Sequence, residues 1–445
     1  MNDSTPSLRT IDIASIVISG ILGVGIFFTP SRVAQAVDTQ ALALTAWSLG
    51  GVVALIGAFA FAALAQRLPG HGGTFRYVHA AFGRLPAFLY GWANWLVIQA
   101  GALVVIGLVM VDYASVLLFG EARIGDDARA SITIVAIAGF TVLNVLGLRV
   151  GSRVQNLLTV LKTSAVFGLV ALGLFVSVRD GGIAVDAPVR AARGILESLA
   201  AAMLPVLFSF GGWQQGSFVA GAAKSRSAVS LGIVGGVVVI VIAYLAVNVA
   251  FLSLLGFEGA RNAPAVGASA ARIALDPFGL GGIAERVLAG MVVLSALGIM
   301  NTICLAPPFV LHAMAKEGLF FRHAGVLHAT RGVPVLGVIA QGSWAIALCA
   351  LGQWLFRFDL GFLLDGVVFV DWLFFALCGA ALLRLGATGS ARVFGIAFTL
   401  AAITITVGAV ATNSVPSLVG LGVVALGAVV YFVTFRRGFT AESPS

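Results

Sequence analysis

The chain has 445 residues, 60% of them hydrophobic and only 10% charged, with 26 Lys and Arg against 18 Asp and Glu. A soluble domain carries about 25% charged residues, so lipid must cover most of the outside, and the whole chain reads as one membrane domain. The formal net charge of +8 sits on no soluble module that could offer nucleic acid a basic face, so that class of partner is excluded.

The N-terminus, MNDSTPSLRTID, is polar and leads straight into a multi-span pattern, with no sign of a cleaved signal peptide. A helix needs about 20 apolar residues to cross a bilayer. Runs of that kind predict twelve spans, near 13–36, 41–66, 86–119, 130–148, 156–178, 196–221, 228–256, 286–314, 333–353, 360–384, 391–412 and 415–435. The third is longer than one crossing requires and is expected to tilt. Most Lys and Arg, among them Arg67, Arg76, Arg84, Lys224, Arg226 and Lys316, then fall on the side of the N-terminus, and most acids on the other. Positive charge marks the cytoplasmic side, so both tails, 1–12 and 436–445, are expected in the cytoplasm of a cell whose inner membrane holds the protein.

Two spans carry internal interruptions. Ile18 to Pro30 reads ISGILGVGIFFTP, with Gly20, Gly23 and Gly25 mid-span. Each glycine costs a helix interior about 1 kcal/mol relative to Ala, and Pro30 removes a further backbone bond. A short unwound stretch near Gly23–Gly25 follows. Unwound backbone at membrane depth survives only where it is buried in protein or lines a cavity, and the amides freed at a half-helix N-terminus attract a carboxylate. In the sixth span Pro205 to Gly216 reads PVLFSFGGWQQG, with Gly211 and Gly212 near the middle. Carbonyls released there suit an ammonium group. Close helix packing is the plainer reading of such glycines, but matched breaks five helices apart point to a transport site.

The residues at these breaks carry a resemblance. GILGVGIFFTP resembles the G-x-G-I-F signature of the amino acid–polyamine–organocation permeases, a superfamily that includes bacterial amino acid permeases and L-type amino acid transporter-like proteins. FSFGGWQQGSFVAG is similar to its sixth-helix F-x-Y-G-G-W signature. ALAQRLPGHGGTFRYVHAAFG is similar to its second-helix exit, and HAMAKEGLFFRHAGVLHATRGVPVLGVIAQ to the loop after its eighth helix. The resemblance covers about Ile11 to Arg384.

It implies an all-α membrane protein of 12 transmembrane helices: a five-plus-five inverted repeat with discontinuous helices 1 and 6, plus two C-terminal helices. The first repeat would take 13–178, the second 196–384, and helices 11 and 12 would take 391–435. It implies alternating access, with the substrate carboxylate on the amides of Gly23, Val24 and Gly25, flanked by Ile21 and Ile26. The α-amino group would meet carbonyls at Phe208, Ser209 and Gly211. Phe208 resembles an aromatic gate and Gln214 a polar position below the substrate. Ser209, Gly211 and Gly212 leave space for a small or medium neutral side chain, against which Phe208, Phe210 and Trp213 are the filling groups.

The chain departs from the family where Ala222 and Phe309 replace a Glu and an Arg near the cytoplasmic gate, and where Ala63 and Gln66 replace a common acid. Ionisable groups within the membrane are functional candidates by default. Lys162, about 9 Å along the helix from Asn156, resembles the lysine that stands in for a coupling sodium in sodium-independent members; a lysine snorkelling to the cytoplasmic interface is its alternative. Asp371 lines the pathway or accepts a hydrogen bond from a neighbouring helix. Asp112 belongs at the outer interface. Asn301 either serves the core site or packs helices. The segment His71 to Tyr77, HGGTFRY, lacks the spacing and lysine of a phosphate loop and reads as a tight turn.

Cys304, Cys349 and Cys378 lie in apolar runs and the five His are scattered, so neither a metal nor a cofactor is expected. No set of side chains is placed for catalysis, so the chain reads as no enzyme. The expectation is a secondary transporter of amino acids, sodium-independent, with proton-linked symport and exchange both open and with no obligate protein partner. An amine or polyamine transporter and a non-transporting sensor on the same fold are the alternatives.

Overall fold

The computed structural model describes residues 8–68, 73–120, 124–146, 194–218 and 223–435, with the single positions 164, 168 and 171. Among the described residues the regular structure is helical, apart from one parallel bridge between Leu8 and Ala223. The first span is two helices, α1 (Thr10–Ile21) and α2 (Gly25–Ala36), bent by 49°. α3 (Gln40–Arg67) follows, then the short α4 (Gly73–Phe82), α5 (Arg84–Phe119) and α6 (Asp126–Val145). Of the predicted fifth span, 156–178, only positions 164, 168 and 171 are described, and Lys162 lies outside the described residues.

The second half opens with α7 (Ile195–Phe210) and the one-turn α8 (Gln215–Phe218). Next come α9 (Arg226–Asn262), the ten-residue α10 (Val266–Leu275), α11 (Gly281–Leu305) and α12 (Pro308–Lys316). The last four are α13 (Val335–Phe356), α14 (Leu360–Arg384), α15 (Gly389–Thr412) and α16 (Ser414–Phe435). Ten of these helices are long and apolar enough to cross a membrane, and the bent first pair makes eleven. The chain is a multi-pass membrane protein.

Local chemistry starts the long helices. Thr39 accepts from the Leu42 amide at 3.2 Å, Ser225 from Ala228 at 3.1 Å and Asp359 from Phe362 at 2.7 Å. Each side chain satisfies an amide that a helix N-terminus leaves without an acceptor. α9 turns at Gly256, where φ of 67° breaks the helical path. The segment from His71 to Tyr77 corrects the expectation of a tight turn: from Gly73 onward it is the first part of α4. Thr74, Phe75, Tyr77, Val78 and Ala81 are buried there, a helical spacing that packs one face inward.

Burial separates core from periphery. In α14, 67% of the central window is buried, against 22% in α6 and α15 and 28% in α16. α14 is therefore a central strut, and the other three present apolar faces outward, as lipid contact requires. The fully buried Trp47, Trp213, Trp372, Tyr244, Phe61 and Phe210 fill the middle. They meet as ring pairs such as Trp47 on Phe210 at 5.8 Å and Trp213 on Trp372 at 5.9 Å.

Candidate functional site

The first break is three residues long. Leu22 leaves the helical region (φ −67°, ψ 82°) while its amide still donates to Ile18 O at 2.7 Å. Gly23 and Val24 follow, and α2 starts at Gly25. The first amides of α2 have no acceptor within their own helix. Tyr244 reaches in from α9 and donates its hydroxyl to Ile21 O at 2.8 Å, facing the Gly23 amide. Ile21, Val24 and Ile26 are buried, so the walls of this break are apolar and its floor is peptide.

The second break is a turn. Gly211 is extended (φ −59°, ψ 143°), and its amide donates to Phe208 O at 3.2 Å. Gly212 has φ of 124°, a conformation open to glycine and strained for any other residue. Gln214 folds back, its Oε1 accepting from the Gly212 amide at 3.0 Å. The Gln215 amide then donates to Gly212 O at 3.1 Å and leads into α8. Within α7, Pro205 supplies no amide for the carbonyl one turn earlier.

The two breaks lie against each other. A Cβ on Gly25 would stand 2.8 Å from Ser209 Oγ and 3.0 Å from Ser209 Cα; one on Gly212 would stand 2.5 Å from Gly20 O. Only glycine allows backbone to meet backbone this closely. Thr29 Oγ1 and Ser209 Oγ share a 2.5 Å hydrogen bond, and Thr29 also donates to Gly25 O at 2.8 Å. The N-terminus of α2, the positive end of its dipole, and the C-terminus of α7, the negative end of its own, therefore converge. Phe208 is half-buried and meets Phe28 edge-on at 6.1 Å beside this junction.

Other expected residues lie around it. Trp213 is fully buried among Trp372, Phe375 and Phe398, so it stiffens the second break from behind. Asn301 on α11 accepts from Asn144 of α6 at 2.9 Å, and Asn144 donates also to Phe140 O. Asp112 pairs with Arg129 at 2.6 Å, tying the C-terminal end of α5 to the N-terminal end of α6. Asp371 is half-buried on α14, near enough to Tyr90 and Cys378 to act on both electrostatically. Phe309 sits beside His312, and Ala222 lies outside the described residues.

Three residues carry contacts that sequence reasoning missed. Thr29 is one turn beyond Gly25, in register to reach the second break. Tyr244 and Tyr113 are phenols in apolar spans, and a buried phenol needs a partner. Tyr113 finds Phe27 O at 2.5 Å and also faces the Gly267 amide at 3.4 Å, joining α5, α2 and α10. A phenol set in apolar sequence was the available signal.

Beyond the end of α12, Arg84 donates to Glu317 O at 3.1 Å and Gly318 O at 3.3 Å, closing that end of the helix. Gln66 hydrogen-bonds Ser230, and the Lys224 amide donates to Leu8 O at 2.9 Å.

The profile of the family described as "Amino acid permease" matches residues 8–435. The human cystine/glutamate transporter is 27% identical over 372 residues, 83% of this chain and 72% of that protein. The serine/threonine exchanger SteT of Bacillus subtilis (strain 168) is 26% identical over 389 residues, 86% of this chain and 84% of its own. The human b(0,+)-type amino acid transporter 1 is 24% identical over 364 residues, 82% and 72% of the two chains.

Proposed function

The chain belongs to the amino acid permease family, and from that footing we propose that it is an exchanger or proton-linked symporter that moves α-amino acids by alternating access, without sodium. One observation carries the reading: the N-terminus of α2 and the C-terminus of α7 converge where Gly25 lies on Ser209. Amides at Gly23, Val24 and Gly25 offer donors to a carboxylate, and carbonyls at Phe208, Ser209 and Gly211 offer acceptors to an ammonium. An α-amino acid carries both groups on one carbon, and the two helix dipoles favour its charges in that orientation. The relatives named above as a cystine/glutamate transporter and a serine/threonine exchanger support this substrate class.

The order of elements supports a five-plus-five repeat. A broken first helix, a long helix and a ten-residue helix occur as α1–α2, α3 and α4, and again as α7–α8, α9 and α10. We place repeats at 13–178 and 196–384, helices 11 and 12 at 391–435, and both termini in the cytoplasm of an inner-membrane protein. Phe208 with Phe28 closes the outer side; Arg84 at the end of α12 and the Leu8 contact close the inner side. Movement of the half-helices opens one closure at a time, with Lys162 in place of a coupling ion. The full-length protein in liposomes preloaded with unlabelled amino acids tests this. Labelled amino acid enters in exchange for internal substrate, or with an inward proton gradient, and external sodium changes neither rate. No uptake with any of the twenty amino acids under either condition overturns the proposal.

A further inference from the structure

The breaks account for the groups shared by every α-amino acid and leave Asp371 unused. It lies in the middle of α14, the most buried of the spans. The face around it is defined by its helical neighbours. Val367, one turn earlier, packs onto Gly101 of α5. Phe374, three residues on, meets Tyr90 of α5 edge-on at 5.4 Å. Phe375, four residues on, meets Trp213 at 5.4 Å, directly after the second break. Asp371 therefore points into the wedge between α5 and the turn that binds the substrate's amino end.

The opposite wall of that wedge is irregular. Residues Asn94–Gln99 of α5 form a widened helical turn that packs against α14. Such π-turns gather at functional sites because they re-aim side chains. Here Asn94 is buried, and its Oδ1 accepts from Gln99 at 3.1 Å and from the Tyr90 hydroxyl at 3.4 Å. The result is one carboxylate and three neutral hydrogen-bonding groups inside a hydrophobic bundle. Among the described residues no Lys, Arg or His forms an ion pair with Asp371. A carboxylate at this depth needs a cation or a donor, and its side chain is half-buried rather than fully enclosed.

We infer that Asp371, with Asn94 and Tyr90, forms the side-chain end of the substrate site and selects amino acids whose side chain ends in an ammonium or guanidinium. The three or four methylenes of an arginine or lysine side chain run from the breaks along the wedge between α5 and α14 to the carboxylate. This rests on the amino acid site proposed above and replaces the neutral side chain that the space at Ser209, Gly211 and Gly212 suggests.

L-arginine and L-citrulline, nearly equal in shape and different in charge, make the test. Competition against labelled substrate in liposomes holding the full-length protein is expected to give arginine at least about a tenfold lower half-inhibitory concentration, the scale of one charge-assisted hydrogen bond. Asp371→Asn is expected to bring the two ligands to within about twofold, and Asp371→Glu to restore part of the ratio. Equal competition by arginine and citrulline in the unaltered protein overturns the subsite, even where neutral amino acids are still carried. A ratio left intact by Asp371→Asn overturns it too, whatever that variant does to the overall rate or its pH dependence. Failure of every amino acid to compete overturns the site at the breaks along with it.

Discussion

The two helix breaks are built from the same residue type and held in different ways. The first is supported from outside: Tyr244 of α9 donates to Ile21 O, and Tyr113 of α5 holds Phe27 O beyond it. The second holds itself: Gln214, within the turn, takes the Gly212 amide, and the backbone of 208–217 closes its own short bonds. A break tied to neighbouring helices changes when they move. A self-closed turn keeps its shape and travels as a unit. The contrast makes the first break the one that answers to its neighbours and the second the one that keeps its own shape.

The strongest way to break this comparison is at the point where the two meet. Gly212 has φ of 124°, and a Cβ there would stand 2.5 Å from Gly20 O. Gly212→Ala adds backbone strain and a clash with backbone, which has no flexible end to give way. The expected cost is about 3 kcal/mol or more, read as a large fall in thermal midpoint of the purified protein with loss of uptake. Gly211→Ala is the control one residue away: φ is −59° and its nearest contact, Phe208 O, is at 3.2 Å. It is expected to cost about 1 kcal/mol or less. Similar losses from both substitutions would mean that the turn, rather than the contact with Gly20, sets the stability.

Tyr244→Phe sharpens the other half. It keeps the ring against Trp47 and Phe210 and removes only the hydroxyl from Ile21 O. One buried hydrogen bond contributes about 1–2 kcal/mol when its acceptor is left bare. If this break meets the substrate carboxylate as proposed, the apparent KM is expected to rise several-fold in liposome uptake. A fall in thermal stability with an unchanged KM would make Tyr244 a packing residue alone.

These outcomes bear on what the sequence made legible. Among the described residues ten spans, or eleven with the bent first pair, were readable because each needs about 20 apolar residues, and the breaks because glycine and proline oppose helix so strongly. The ends of α3, α9 and α14 follow from Thr39, Ser225 and Asp359. The register between distant helices was not readable. Nothing local to Thr29 says that it lies one hydrogen bond from Ser209, 180 positions away. Trp213 shows the same limit: beside Gly212 it reads as a group filling the side-chain space, and its ring packs against Trp372, Phe375 and Phe398. α4 was read as a turn because its glycines were weighed above the buried spacing of Phe75, Val78 and Ala81.

Gln214→Leu gives the smallest effect and the finest distinction. Its Oε1 caps the Gly212 amide at 3.0 Å, two residues back in the same turn. Leucine keeps the bulk and removes the cap. The turn also has the Gly211–Phe208, Gln215–Gly212 and Ser217–Gln214 backbone bonds, so the expected cost is about 0.5–1.5 kcal/mol. A self-closed turn that loses one of several bonds keeps its carbonyls in place. The expected signature is therefore a small drop in thermal midpoint with KM changed by less than about twofold, the reverse of the Tyr244→Phe pattern. A larger effect on KM than on stability would put the Gln214 amide group on the substrate itself, as a residue that leaves the cap when substrate arrives.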